Sequence, residues 1–207
     1  SWLDALAATE NESKKPRDGV FKAIASCRAA KNAHVEAEAE RRKLMATTPE
    51  FCKIVAIGSA RRGSGLGSML LGIEYETEAE MLAAFWSAAA ASSQLIGYNI
   101  AAFDLPVILV RSALLGIPAT RLIDLKPWGR DVCDLMAVRF SSRMAKPMKL
   151  KPLAKAMGIE IPAGDETDGS QVERLWKEEP DKLRQYVESD VVISRELHRM
   201  YQGYFCL

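Results

Sequence analysis

Histidine and closely spaced cysteine are nearly missing from this chain. His34 and His198 are its two histidines, and Cys27, Cys52, Cys133 and Cys206 lie too far apart for any C-x-x-C pair. A zinc centre built on thiolates or imidazoles has no ligand set to draw on. An excess of one charge is missing too, since 28 basic residues stand against 27 acidic ones for a formal net charge of +1. That balance neither recruits nor repels a polyanion, so any nucleic-acid contact must come from a local patch. No apolar run approaches the ~18 residues needed to cross a bilayer. The N-terminal residues lack the basic-then-apolar pattern of a leader. We expect a cytoplasmic protein with no membrane partner. Internal repeats and low-complexity linkers are also absent from the sequence, which excludes repeat arrays.

What is present suits one compact domain: 207 residues, 22.8 kDa and 48% hydrophobic content are enough to bury a full core. Residues 1–48 are polar, alanine-rich and helix-favouring. They predict one or two surface helices, with the charged run from His34 to Lys43 forming a solvated face or a partner contact. Residues 49–207 carry the remaining pattern. Lys53 to Gly58 and Ser68 to Tyr75 read as strands, joined through the glycine-rich turn Arg61 to Gly67. Gly63, Gly65 and Gly67 are spaced G-x-G-x-G and lead into a strand, unlike the dinucleotide-binding fingerprint that opens a helix. Thr77-Glu-Ala-Glu80 has the form of a capping box and predicts a helix to about residue 92. Gln94 to Tyr98 reads as a buried strand, Leu105-Pro106 to Leu115 as a helix closed by Gly116, and Leu122 to Leu125 as a short strand. Helices follow over about 135–140, 150–157 and from Pro180 onward. The order predicts an α/β fold, a mixed β-sheet flanked by helices.

Asp104 falls where a hydrophobic strand meets a helix, the kind of junction at which an α/β sheet opens its crevice. The same position also suits a helix N-cap. Tyr186 and Asp190 are four residues apart on the last helix and share a face. Asp190 lies on the apolar stripe of Leu183, Val187, Ser194, Leu197 and Tyr201, where a carboxylate needs a metal cation or an arginine. The amide of Asn99 suits a sugar hydroxyl or phosphate, and the ring of Phe103 suits stacking on a terminal base. Lys126, Trp128, Arg130, Arg143, Lys146, Lys149 and Lys151 make a basic stretch that is either a solvated surface or a strand-tracking patch. Asp131 and Asp134 are expected to cap or solvate the following helix rather than to ligate a metal.

These segments resemble the DEDD superfamily of 3′→5′ exonucleases, whose fold is ribonuclease H-like. Asn99 with Phe103-Asp104 matches its second motif, and Tyr186 with Asp190 matches the tyrosine form of its third. More narrowly, Gly97-Tyr-Asn-Ile through Phe-Asp-Leu-Pro106, followed by Arg111, is similar to predicted exonucleases related to the proofreading domain of family B DNA polymerases. Pro49 to Gly58 and Asp168-Gly169 to Val172 also fit, so the resemblance spans roughly residues 49–200. It implies two Mg²⁺ or Mn²⁺ ions roughly 3.5–4 Å apart. Asp104 and Asp190 would be metal ligands, Tyr186 would orient the nucleophile, and Asn99 and Phe103 would hold the terminal nucleotide. The implied partner is nucleic acid, single-stranded DNA or another 3′ end with RNA possible, together with replication or repair proteins.

One motif of that superfamily, an early strand bearing Asp-x-Glu, is not found before Lys53. Glu74-Tyr-Glu76 copies its spacing but follows the first strand, and Asp4, Glu10 and Glu12 sit in helix-like sequence. The expectation is that Ser1 lies just downstream of the motif strand. A second expectation follows, that this chain alone is inactive or nearly so, because two carboxylates and one phosphate do not balance two divalent ions. Two alternatives stay open: a non-catalytic nucleic-acid- or protein-binding module on the same fold, and a scaffold that uses residues 20–46 as an interface.

Overall fold

The computed structural model describes residues 14–61, 66–127, 129–140, 148–162, 167 and 169–205. The chain divides into two compact units, Ser1–Met45 and Ala46–Leu207. The described residues of the first make up most of helix α1 (Lys14–Thr47). Its side chains described between residues 25 and 47 are all exposed, including Val35, Leu44 and Met45. Along it, Arg42 and Glu38, one turn apart, pair at 2.9 Å.

The second unit begins with strands β1 (Ala56–Ala60) and β2 (Leu66–Leu70), which pair antiparallel with Ala56 opposite Leu70 and Ala60 opposite Leu66. Of the turn expected between them, residues 62–65 lie outside the described residues. β1 starts later than the sequence pattern indicates, because the Ile54 amide donates to the Glu78 carboxylate at 2.9 Å instead of to a neighbouring strand. β2 ends at Leu70 rather than running to Tyr75. Gly72 takes a left-handed φ of 84° and its amide bonds the Tyr75 carbonyl at 2.7 Å, so the chain turns back.

Helix α2 (Glu78–Ala90) starts with the expected box: Thr77 accepts from the Glu80 amide while the Glu80 side chain accepts from Thr77. Its buried face carries Leu82 and Trp86 into a cluster with Ala89 and Ile108, flanked by Ile57 of β1 and Leu95. The Trp86 indole donates to Ser112 Oγ at 2.8 Å, so burial of this ring leaves no polar atom stranded there. Strand β3 (Leu95–Gly97) follows, then helix α3 (Asp104–Leu114), after which Gly116 adopts a φ of 69°. The buried Glu78 reaches Arg111 of α3 through a bidentate pair at 2.6 and 2.9 Å, tying the start of β1, α2 and α3 together.

Leu122–Leu125 forms no strand. Leu122 is 96% exposed, and the segment is held instead by Asp131, which accepts from the Asp124 amide at 3.0 Å and from Arg121 at 2.8 Å. The partner of β3 is β4 (Val132–Asp134), parallel, with Gly97 opposite Asp134. Short helices α4 (Leu135–Phe140), α5 (Leu150–Ala156) and α6 (Val172–Glu178) lead to the long α7 (Pro180–Phe205).

The described residues therefore hold two small sheets, antiparallel β1–β2 and parallel β3–β4, rather than one continuous mixed sheet. α7 packs against β1, β2 and β3 as well as α5 and α6. Gly58 makes its approach to β1 possible, since a Cβ there would lie 2.5 Å from Val187 and 2.7 Å from Val191. Leu153, Leu197 and Tyr201 close the other end with Cys133 and Leu135. Among the described residues no helix is long and apolar enough to cross a membrane.

Candidate functional site

β3 and β4 run parallel, so their carboxyl ends lie side by side and the segments leaving them share one edge of the fold. Beyond Gly97, Asn99 takes a φ of 63°, a left-handed conformation that asparagine tolerates better than most side chains. The turn it starts is closed by Phe103 N–H to Asn99 O at 3.0 Å and by Leu105 N–H to Ile100 O at 2.9 Å. Asp134, at the end of β4 and 2% exposed, holds this turn from beneath. It accepts from the Asn99 amide at 2.9 Å and the Ala101 amide at 3.0 Å. The same carboxylate accepts from Met136 at 3.0 Å and Ala137 at 3.3 Å in the first turn of α4. Four backbone donors and a helix N-terminus satisfy a charge that burial would otherwise penalise. Asp134 thus caps the following helix as expected, but it is buried rather than solvated. Asp131 does neither, because it is engaged by Arg121 and the Asp124 amide.

The turn presents Phe103 and Asp104. Phe103 is 41% exposed, a large hydrophobic residue open to solvent. It also occupies the N-cap position of α3, with no side-chain cap bond, while Asp104 is the first helical residue. The capping role that the sequence allows for Asp104 is not the one it adopts. Crowding by surrounding protein raises the Asp104 pKa from 3.8 to about 6, repulsion from Asp134 and Asp190 adds to the rise, and a backbone hydrogen bond opposes it. Asp104 nonetheless keeps an exposed surface, so water or a cation can reach the carboxyl group. The smallest of these contributions comes from Asp190, which lies on α7 and is remote from Asp104 in sequence.

On α7, Tyr186 and Asp190 are both half-buried and share a face, as their spacing predicts. Leu183, Leu197 and Tyr201 of the same stripe are buried, whereas Val187 and Ser194 are half-buried. The ammonium of Lys151, in the first turn of α5, stands 4.8 Å from the centroid of the Tyr186 ring. Tyr98, beside Asn99, donates to the Met148 carbonyl at 2.6 Å and so links this turn to the segment before α5. Glu74 takes no part in the site, since Arg184 pairs with it and the Leu70 amide donates to it.

Of the basic stretch, Lys126 pairs with Asp124 at 3.2 Å on the surface, and Lys151 faces the site. Trp128, Arg143 and Lys146 lie outside the described residues, as do Asp4, Glu10, Glu12, Gly63, Gly65 and Asp168. Sequence reasoning did not assign Asp134 or Lys151 to this region. One signal existed for Asp134, which, like Asp104, sits between a strand and a helix.

Asp104 and Asp190 offer hard oxygen donors of the kind Mg²⁺ or Mn²⁺ prefers, whereas Asp134 already serves four amides. Among the described residues no three His, Cys, Asp or Glu side chains form a group that could hold a metal. The donor chemistry fits a hard cation, and the donor number is short of a complete site.

No curated protein matches the chain. Residues 47–198 match the model of a family described as a predicted 3′-5′ exonuclease related to the exonuclease domain of PolB. That match covers most of the chain and contains Asn99, Phe103, Asp104, Tyr186 and Asp190, and the chain belongs to this family of predicted 3′-5′ exonucleases.

Proposed function

We propose that this protein is the core of a metal-dependent 3′→5′ exonuclease that releases 5′-mononucleotides from single-stranded DNA. The observation that carries the reading is the match of residues 47–198 to that family of predicted 3′-5′ exonucleases, which takes in Asp104, at the edge where β3 and β4 end, and Asp190 on α7. Two carboxylates that repel one another, one of them open to solvent, are stabilised by a shared cation. A divalent ion bound there would lower the pKa of a water molecule and neutralise charge on the phosphate. The chain's own residues have separable tasks. Asp104 and Asp190 ligate; Tyr186, on the face of Asp190, orients the attacking water with its hydroxyl. The Asn99 amide bonds the terminal sugar or phosphate, and the exposed Phe103 ring stacks on the last base. Asp134 fixes the turn that carries the last two.

A ribonuclease H-like sheet with an Asp-x-Glu strand would complete this set. Two divalent ions bring four positive charges, and Asp104, Asp190 and one phosphate offset three. β1 and β3 belong to separate two-stranded sheets, and each has an edge without a sheet partner among the described residues. Ile57 and Leu95 from these strands pack on one cluster. A further strand pairing at such an edge has both hydrogen-bonding groups and an apolar neighbour to meet it. The test is mononucleotide release from 5′-labelled single-stranded DNA with Mn²⁺, by this chain and by a form carrying the Asp-x-Glu strand. The longer form is expected to shorten the label from its 3′ end, with the activity abolished by Asp190→Asn, while the present chain is nearly inert. Brisk hydrolysis that survives Asp190→Asn would refute the assignment, and binding without hydrolysis by the longer form would favour the non-catalytic module.

A further inference from the structure

Asp134 and Tyr98 grip the turn over residues 99–104 in different directions. All four donors to Asp134 lie in that turn and in α4, so the carboxylate fixes the shape of the turn and not its distance from α7. Tyr98 reaches further. Its ring packs against the buried cluster of Cys133, Leu135, Leu153, Leu197 and Tyr201, in which Leu153 belongs to α5 and the last two to α7. Its hydroxyl donates to the Met148 carbonyl at 2.6 Å, one residue before the N-cap of α5 at Lys149. Apolar packing lets a ring slide, whereas a hydrogen bond weakens steeply away from its preferred distance and angle, so the hydroxyl sets where the ring stops.

The backbone around Tyr98 has little slack. Asn99 sits at a φ of 63°, and a Cβ on Gly97 would lie 2.4 Å from Ile100 Cγ2, so the chain doubles back closely on both sides of the ring. The bond from Phe103 N–H to Asn99 O at 3.0 Å carries a shift of Asn99 onward to Phe103 and Asp104. Asp190 stands about two turns before Leu197 on α7, the helix against which the ring rests.

We infer that Tyr98 is a positioning residue for the proposed hydrolysis, its hydroxyl at the Met148 carbonyl setting the distance of the Asn99, Phe103 and Asp104 side chains from Asp190. This rests on the exonuclease reading of the same site. The competing role is that of a bond that stabilises the fold without aligning the site.

The two roles differ in their effect on turnover. Release of mononucleotides from 5′-labelled single-stranded DNA is followed with Mn²⁺ in the form that carries the Asp-x-Glu strand, well below its unfolding midpoint. Tyr98→Phe keeps the ring and removes the hydroxyl. A displacement of ~1 Å costs ~10²-fold in rate, so the smaller shift expected here should lower kcat roughly tenfold and leave KM within about threefold. Tyr98→4-aminophenylalanine restores a donor at the same place and should recover most of the rate. Thr120→Val is the control, since it removes another hydroxyl bonded to a carbonyl at 2.6 Å, that of Trp86, and should lower the unfolding midpoint without changing kcat. A kcat for Tyr98→Phe within about twofold of the parent, with only the midpoint lowered, would overturn the inference and leave the exonuclease reading intact. A loss shared by Thr120→Val, or one that 4-aminophenylalanine does not reverse, would overturn it as well. A longer form that releases no mononucleotide would overturn both.

Discussion

Replacing Asp134 by asparagine changes one atom in the buried group that shapes the site. Oδ1 of Asp134 receives the amides of Asn99, Met136 and Ala137, while Oδ2 receives that of Ala101. In Asp134→Asn the carbonyl oxygen keeps the three bonds only if the new NH₂ group faces the Ala101 amide, donor against donor. The least costly orientation loses one hydrogen bond to a charged acceptor, worth ~1.5–3 kcal/mol, and weakens the three that remain. About 3 kcal/mol of destabilisation is expected. At ~2–4 °C per kcal/mol for a unit of this size, the unfolding midpoint falls by roughly 6–12 °C. Asp134→Ala loses all four bonds and approaches the ~5–15 kcal/mol that keeps a domain folded at all. Because the lost bond lies inside the Asn99–Phe103 turn, amide exchange at Ala101 and Asn99 should accelerate more than exchange in α2. Differential scanning calorimetry and residue-resolved hydrogen exchange read both effects. A midpoint within ~1 °C of the parent, with unchanged protection across the turn, would refute the argument that Asp134 builds it.

Two further outcomes follow from named contacts. Asp104 titrates near 6 in the folded chain against 3.8 when unperturbed, so the folded state holds a proton that the unfolded state releases. Without metal, stability should therefore fall as pH rises from about 4 to about 6 and then level. Asp104→Asn should flatten that fall in urea unfolding curves, whereas an unchanged slope would show that Asp104 is not its source. Arg111→Met leaves the buried Glu78 carboxylate without its bidentate partner and should cost ~3–5 kcal/mol. The double variant Glu78→Gln with Arg111→Met should recover part of that loss, and additive losses in thermal unfolding would contradict the pairing.

The elements legible in the sequence are those set by neighbours along the chain. Thr77 and Glu80 are one turn apart and cap α2 whatever else the fold does, and the shared face of Tyr186 and Asp190 follows from helical period alone. Sheet partners are set by distant residues, and there the pattern misleads. Leu122 to Leu125 has a strand-like run of apolar residues, yet Asp131 draws its backbone away. Val132-Cys-Asp134 is too short to show alternation, yet it supplies the ladder beside β3. The role of Asp104 turned on dihedral angles, since a residue at the cap and one just inside the helix look alike in sequence. The work of Asp134 was hidden for a similar reason, because two of its four donors come from a turn far upstream.

The account rests on Asp104 and Asp190 acting as one cation-holding pair. Mn²⁺ binding followed by electron paramagnetic resonance at pH ~7.5, above the Asp104 titration, tests this in the form that carries the Asp-x-Glu strand. Asp104→Asn and Asp190→Asn are each expected to abolish the Mn²⁺ bound by the parent, and the double variant to lose no more than either one. Mn²⁺ bound equally well after either substitution, or losses that simply add, would contradict it.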